Sequence, residues 1–349
     1  MKITGLYVYP IKGIRGIKLD TAQIGPQGIS HDRRFMLWEV KPTGQLGKVQ
    51  VDSHPKCALF EQQIVSGSRD GESLITVRYL GNEETKADDE FLRLPLEPDF
   101  SSLEKTTVNL HTSPTAAYRM GDACDAWFSQ RFGVPVILVY LGDGRRGIVG
   151  KTLLPKSARE QQQQPQRGWM ASLTSYVTGS CTPDKNSEPW ITFADVAALL
   201  VTSEASLRDV QERLLGGLPV PMYKFRPNIV VDGEGEDSWA EDLWAELTIS
   251  HDGGQEEGSQ QHKLEVMGNC VRCVSLNVDY ETGKPAEGEM GNVLKRLMKD
   301  RRVDTGSKWS PVFGRYAVPI GESFTASVGD EVEVTRRNTE RTVWDWNGL

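Results

Sequence analysis

The densest chemistry in the chain lies between Asn269 and Gly283, NCVRCVSLNVDYETG, where Cys270 and Cys273 stand three apart with Arg272 between them. A closed zinc site takes four ligands, and no second C-x-x-C completes one. A thioredoxin-like couple opens a helix in a βαβ setting, whereas β-branched residues follow this pair. Two readings stay open: inert core cysteines, or a single thiolate that ligates a metal carried by a cofactor. Arg272 would favour the deprotonated form in the second case.

Three short basic motifs come next: YPIKG with Lys12, HDRRFML with Arg33 and Arg34, and FRPN with Arg226 and Asn228. Each falls at a strand end or turn. An isolated cation usually sits on a solvated face. Arg beside Pro and Asn in an acidic chain can instead present a planar donor fork to an anion, and the Asn amide can both donate to and accept from a heterocycle edge. SPVFGRY, from Ser310 to Tyr316, reads as a Gly turn packed between aromatics. KRLMKDRR, from Lys295 to Arg302, reads as a solvated helix face, with docking to an acidic protein as the alternative. The five histidines show no metal-binding spacing, and the chain has no nucleophile elbow, Walker A or dinucleotide fingerprint.

These residues have to be positioned by a chain of 349 residues, long enough for two domains. With 48 Asp and Glu against 40 Lys and Arg, and a net charge of −8, it is not expected to bind nucleic acid. Five cysteines argue against a secreted disulfide framework, and no apolar run approaches a membrane span. A soluble intracellular protein is expected, cytoplasmic, with mitochondrial association left open. Residues 1–141 read as strands, with one helix capped by Asp122 whose apolar face is Ala123, Trp127, Phe128 and Phe132 and which ends at Gly133. Residues 142–189, including EQQQQPQRG, read as a linker or insertion too polar to pack. Residues 190–349 read as a second strand-rich unit containing a helix capped at Ser203, without regular βαβ alternation.

VYPIKGIRG, DRRFML, GDACDAWFSQRFG, TSEASL, FRPNIVV, AEDLWAEL, CVRCVSLNVDYETG, PVFGRY and VGDEVEV, in this order, resemble the MOSC superfamily over nearly the whole chain. The resemblance implies an α+β, strand-rich fold: a MOSC_N β-barrel-like domain followed by a MOSC β-barrel with a few helices. It implies the molybdenum cofactor, a pterin dithiolene whose metal takes one protein thiolate, here Cys273. Lys12, Arg34, Arg226 and Asn228 match positions that hold the pterin and its phosphate, and Arg272 lies beside the ligand. Gly13 stands where many members carry Ser. Pyridoxal phosphate binding is associated with the family as a whole, and no residue here is assigned to it.

The activity implied is molybdenum-dependent reduction of N-hydroxylated substrates such as amidoximes, hydroxamic acids and hydroxylamines. No flavin or nicotinamide motif is present, and no cysteine follows Cys273 to hold a cluster. The resemblance implies a haem-b cytochrome fed by a flavin reductase as the electron source. The opposing expectation is a sulfur carrier with a persulfide on Cys273, or a cofactor maturation or storage protein.

Overall fold

Along KITGLYV, Lys2 and Thr4 are exposed and Ile3 is buried, the period-two signature of a strand, and a register irregularity between Ile3 and Gly5 shifts the phase so that Leu6 and Val8 are buried as well. In the structure, a computed structural model describing residues 1–66, 72–81, 90–150, 189–251 and 261–346, that strand is Lys2–Val8. It pairs on one side with Ile229–Asp232 and on the other with Glu331–Arg337. The circuit continues through Trp244–Ser250, Gln261–Val271, Val312–Ile320 and Leu199–Ser203 back to Ile229–Asp232, a closed seven-stranded barrel. Leu6, Val8, Val201, Ile229, Trp244 and Leu264 fill its interior. Closure leaves these strands without a free edge within the ring. The barrel of the second unit thus takes its closing strand from the first nine residues of the chain.

One pair in the ring is parallel. Leu199–Ser203 and Ile229–Asp232 are joined by helix Glu204–Glu212, a single βαβ crossover within an otherwise antiparallel barrel. Ser203 occupies the N-cap position, though its side chain makes no capping bond. Leu207 and Val210 of the helix pack with Phe225, Leu297 and Phe313.

A second sheet runs Glu104–Leu110, Ser113–Arg119, Val136–Tyr140, Phe35–Val40 and Ile11–Lys12, with Leu46–Lys48 on Phe35–Val40. Helix Asp122–Phe132 follows Ser113–Arg119, with Gly121 rather than Asp122 as its N-cap. The Asp122 carboxylate turns back to Arg119 at 2.7 Å. Its buried face is Cys124, Trp127, Phe128 and Phe132, and Ala123 is exposed. Gly133 closes the helix in the left-handed region at φ 78°. Phe60 stacks on Phe132 with centroids 4.7 Å apart and meets Trp127 edge-on, joining the helix to the Phe60–Val65 hairpin.

The stretch read as a linker begins in packed structure. Arg146–Gly147 pairs with Trp190–Ile191, so both flanks of the insertion meet in one antiparallel ladder. The Gln-rich segment itself lies outside the described residues.

The solvated-face reading of Lys295 to Arg302 needs correction at two positions. Arg301 is buried and holds Asp242 in a bidentate pair at 2.7 and 3.0 Å, with its guanidinium 3.9 Å from the Trp239 ring centroid. Arg296 pairs with Glu289 at 2.7 Å. Lys295, Lys299 and Arg302 remain exposed.

Candidate functional site

The chain leaves the barrel at Val8, crosses Tyr9 and Pro10, and enters the second sheet as Ile11–Lys12. The crossing is clamped. Tyr9 donates its backbone N–H to the Asp32 carboxylate at 2.8 Å and its hydroxyl to the Pro227 carbonyl at 3.0 Å. The guanidinium groups of Arg33 and Arg226 lie 4.7 and 4.5 Å from the Tyr9 ring centroid. Arg33, Arg226 and His111 all have φ between 51° and 54°, a left-handed backbone that side chains rarely adopt. Strain of this kind concentrates where geometry serves a ligand. All three line one cavity between the barrel and the second sheet, with a volume of about 340 Å³.

The two motif cysteines have opposite environments. Cys270 ends its side chain in the core, with Sγ 3.3 Å from the Tyr316 hydroxyl, and burial pushes its thiol up. Arg272 donates to that sulfur at 2.9 Å. The strand then gives way to a 3₁₀ turn, Val274–Asn277, of which Cys273 is the N-cap. Cys273 is exposed at the cavity, with the Ser275 hydroxyl 3.2 Å from its Sγ. Among the described residues no three His, Cys, Asp or Glu converge in a metal-sized group.

The same cavity holds a network that joins Lys12 of the YPIKG motif to residues no motif marks. Lys12 Nζ sits 2.5 Å from Asp195 Oδ1, which also contacts His111 Nε2 at 3.1 Å, while His111 Nδ1 faces Lys48 Nζ at 3.4 Å. Burial brings Lys12 down to about 8, against the opposing pull of Asp195. Burial disfavours the Asp195 carboxylate, yet Lys12 and His111 together hold it well below the usual range. Burial likewise depresses His111, partly offset by Asp195. The loop carrying Asp195 is fixed by Arg146, fully buried, which donates to the carbonyls of Thr192, Leu110, Ala194 and Asp195. The GDGRRG stretch, residues 142–147, supplies this strut.

Of the residues singled out from the sequence, Lys12, Arg226, Asn228, Arg272 and Cys273 line the cavity and Arg34 does not. Its neighbour Arg33 does. Arg34 turns away, donates to the Gly142 carbonyl at 2.6 Å and lies over the Tyr140 ring in a separate depression. The left-handed turn at Arg33 and the return to strand at Phe35 send adjacent side chains to opposite sides. Asn228 is committed to the protein. Its Oδ1 accepts from Arg33 and from the Leu200 N–H, and its Nδ2 donates to the Tyr7 carbonyl. Gly13 has φ 97°, and a Cβ there would lie 3.0 Å from the Val49 carbonyl oxygen.

Lys12, Arg33, Lys48, Lys224, Arg226 and Arg272 outnumber Asp52 and Asp195 in the cavity lining, a local positive excess in an acidic protein. Such a concentration of donors selects an anion.

The family models agree with this architecture. A MOSC N-terminal beta barrel domain matches residues 1–135 and a MOSC domain matches residues 188–333. The chain is 27% identical to the human mitochondrial amidoxime-reducing component 1, over 95% of this chain and 82% of that protein. It is 25% identical to the bovine mitochondrial amidoxime reducing component 2 over the same shares. The molybdenum cofactor sulfurase of Emericella nidulans is 22% identical over 94% of this chain, which spans only 39% of that longer protein. Barrel, cysteine loop and matched domains together make this chain a member of the MOSC superfamily, an N-terminal beta barrel domain followed by a MOSC domain.

Proposed function

We propose that the chain binds the molybdenum cofactor with Cys273 as the protein ligand and reduces N-hydroxylated compounds to their N–H forms. The observation that carries this reading is the exposed Cys273 thiol opening on a cavity whose cations come from both domains. The donor set fits the group. A pterin phosphate needs fixed cations, a soft metal bound by sulfur takes a thiolate, and the buried Arg272 Nε has no hydrogen-bond partner among the described residues. Lys12, Arg33 and Arg226 would hold the phosphate and pterin, with Arg33 in the place the sequence assigns to Arg34. Bound there, the cofactor would supply two-electron oxygen-atom transfer.

The reduction consumes two electrons and two protons for each N–O bond broken and releases water. The protein's share is positioning and proton supply. Lys48, His111, Asp195 and Lys12 form a continuous chain of contacts along the cavity, a set of groups through which protons can pass. Electrons would come from a haem-b cytochrome served by a flavin reductase.

The test is elemental analysis of protein made in a host that synthesises the cofactor, paired with a benzamidoxime reduction assay. Molybdenum near one per chain with turnover is the expected result. A persulfide on Cys273 without molybdenum would establish the sulfur carrier instead, and molybdenum without turnover on any donor a storage protein.

A further inference from the structure

The large apolar side chain most exposed among the described residues is Trp309, at 80%. It lies between Ser307 and Ser310, both of which line the cavity that holds Cys273. An indole is rarely left in water without a use, and here the backbone that presents it is built rather than loose. Ser310 N–H donates to Ser307 O at 3.3 Å and Ser307 N–H to Asp304 O at 3.1 Å. The buried Asp304 carboxylate accepts from the Gly306 and Trp344 N–H groups, both at 2.9 Å, and from Asn269 Nδ2 at 2.7 Å. Gly306 runs so close to the Trp344 carbonyl that a Cβ would lie 1.9 Å from its oxygen. The loop is thereby pinned to the barrel.

It is also pinned to the cysteine loop. Arg272 N–H donates to the Pro311 carbonyl at 2.8 Å, extending the ladder in which Val271 pairs with Val312. Two residues beyond that bond, on either side, stand Val274 and Trp309. Val274 directly follows Cys273 and is itself 51% exposed. The cationic cavity is thus flanked by two exposed apolar side chains: Val274, next in sequence to Cys273, and Trp309, in the loop that supplies Ser307 and Ser310 to the lining.

We propose that Trp309, with Val274, forms a recognition platform at the cavity mouth that holds the flat apolar body of a substrate while its N–hydroxyl end faces Cys273. The inference rests on the reductase reading of the site. A preorganised ring costs little ordering entropy on binding, which is why single Trp side chains so often dominate recognition. The platform should therefore act on substrate affinity, with little effect on the chemical step or on cofactor retention.

The experiment compares Trp309→Ala and Trp309→Phe with the wild type, all loaded with cofactor, on benzamidoxime and on acetamidoxime, which lacks the ring. Trp309→Ala should raise KM for benzamidoxime about ten-fold at nearly constant kcat and leave acetamidoxime within about two-fold, with Trp309→Phe recovering most of the loss. Calorimetric binding of benzamidine, the N–H product, should weaken by the same factor without any turnover being required. Equal changes on the two amidoximes, or unchanged benzamidine binding in Trp309→Ala, overturn the platform. A loss confined to the KM for the protein electron donor also overturns it and makes the same side chain a docking contact. If wild-type protein reduces neither amidoxime, the reductase reading fails, and the benzamidine titration still decides whether Trp309 binds the ring.

Discussion

Replacing Arg301 by Ala should destabilise the protein, whereas replacing its neighbour Arg302 should not. Arg301 and Asp242 are each under 6% exposed and share two charge-assisted hydrogen bonds. Removing the guanidinium leaves a buried carboxylate with one remaining hydrogen-bonded cation, Arg341, whose Nε lies 2.8 Å away and which is 48% exposed. Breaking a buried pair from one side costs about 3–5 kcal/mol, and the retained Arg341 contact places this case near 3 kcal/mol. With about 2.1 cal/mol/K of unfolding entropy per residue over 349 residues, Tm should fall by roughly 4 °C. The lost stacking on Trp239 acts in the same direction. Arg302 is exposed, so its Ala variant should stay within about 0.5 kcal/mol of wild type. The double variant Arg301→Met with Asp242→Leu should recover much of the loss, because the uncompensated charge is gone. Thermal and urea unfolding of the four proteins would measure this. Equal melting temperatures for the Arg301 and Arg302 variants would refute the buried-pair argument and return the whole segment to the solvent.

Cys273→Ser should abolish molybdenum content while Cys270→Ser largely keeps it, since only the former thiol is exposed at the cavity; equal retention in both, by elemental analysis, would sink the ligand assignment. Arg33→Ala and Arg226→Ala should lower cofactor content and Arg34→Ala should not, each cavity cation being worth roughly 1.5–3 kcal/mol to a bound phosphate. Glu241 is buried, and burial pushes its carboxyl to about 7, partly opposed by the Ser206 hydroxyl. Its protonated form is the one favoured by folding, so its contribution is present in full below about pH 4.5 and is lost as pH rises through about 7. Glu241→Gln should therefore reduce the decline of unfolding free energy over that window, and identical pH slopes in urea titrations would contradict the assignment. Reduction of benzamidoxime through a haem-b cytochrome should slow as ionic strength rises to physiological, if the exposed Lys299, Arg302 and Lys308 guide an acidic donor; an unchanged rate would argue against electrostatic docking there.

Local periodicity and turn chemistry were enough to mark residues 1–141 and 190–349 as strand-rich and to locate the helix ending at Gly133, because those signals act over a few residues. Motif chemistry likewise brought out Lys12, Arg226, Arg272 and Cys273, which the fold gathers at one cavity. Pairings over long separations were beyond it. Nothing near Lys2 says that its strand closes a barrel with Ile229–Asp232, since that ladder depends on which edges remain open once the rest has folded. The choice between Arg33 and Arg34 turned on one left-handed residue, whose φ of 51° is held by Tyr9, Asp32 and Asn228. Arg301 and Arg302 are identical in type and adjacent, and only the arrival of Asp242 from 59 residues away buries one of them. Asp195, His111 and Arg146 have no shared motif, because what unites them is a contact between loops and not a spacing along the chain. Residue types and short spacings decided which chemistry this protein could carry; the tertiary structure decided which thiol is exposed at the cavity and which charges surround it, since desolvation and distance exist only once the chain has closed on itself.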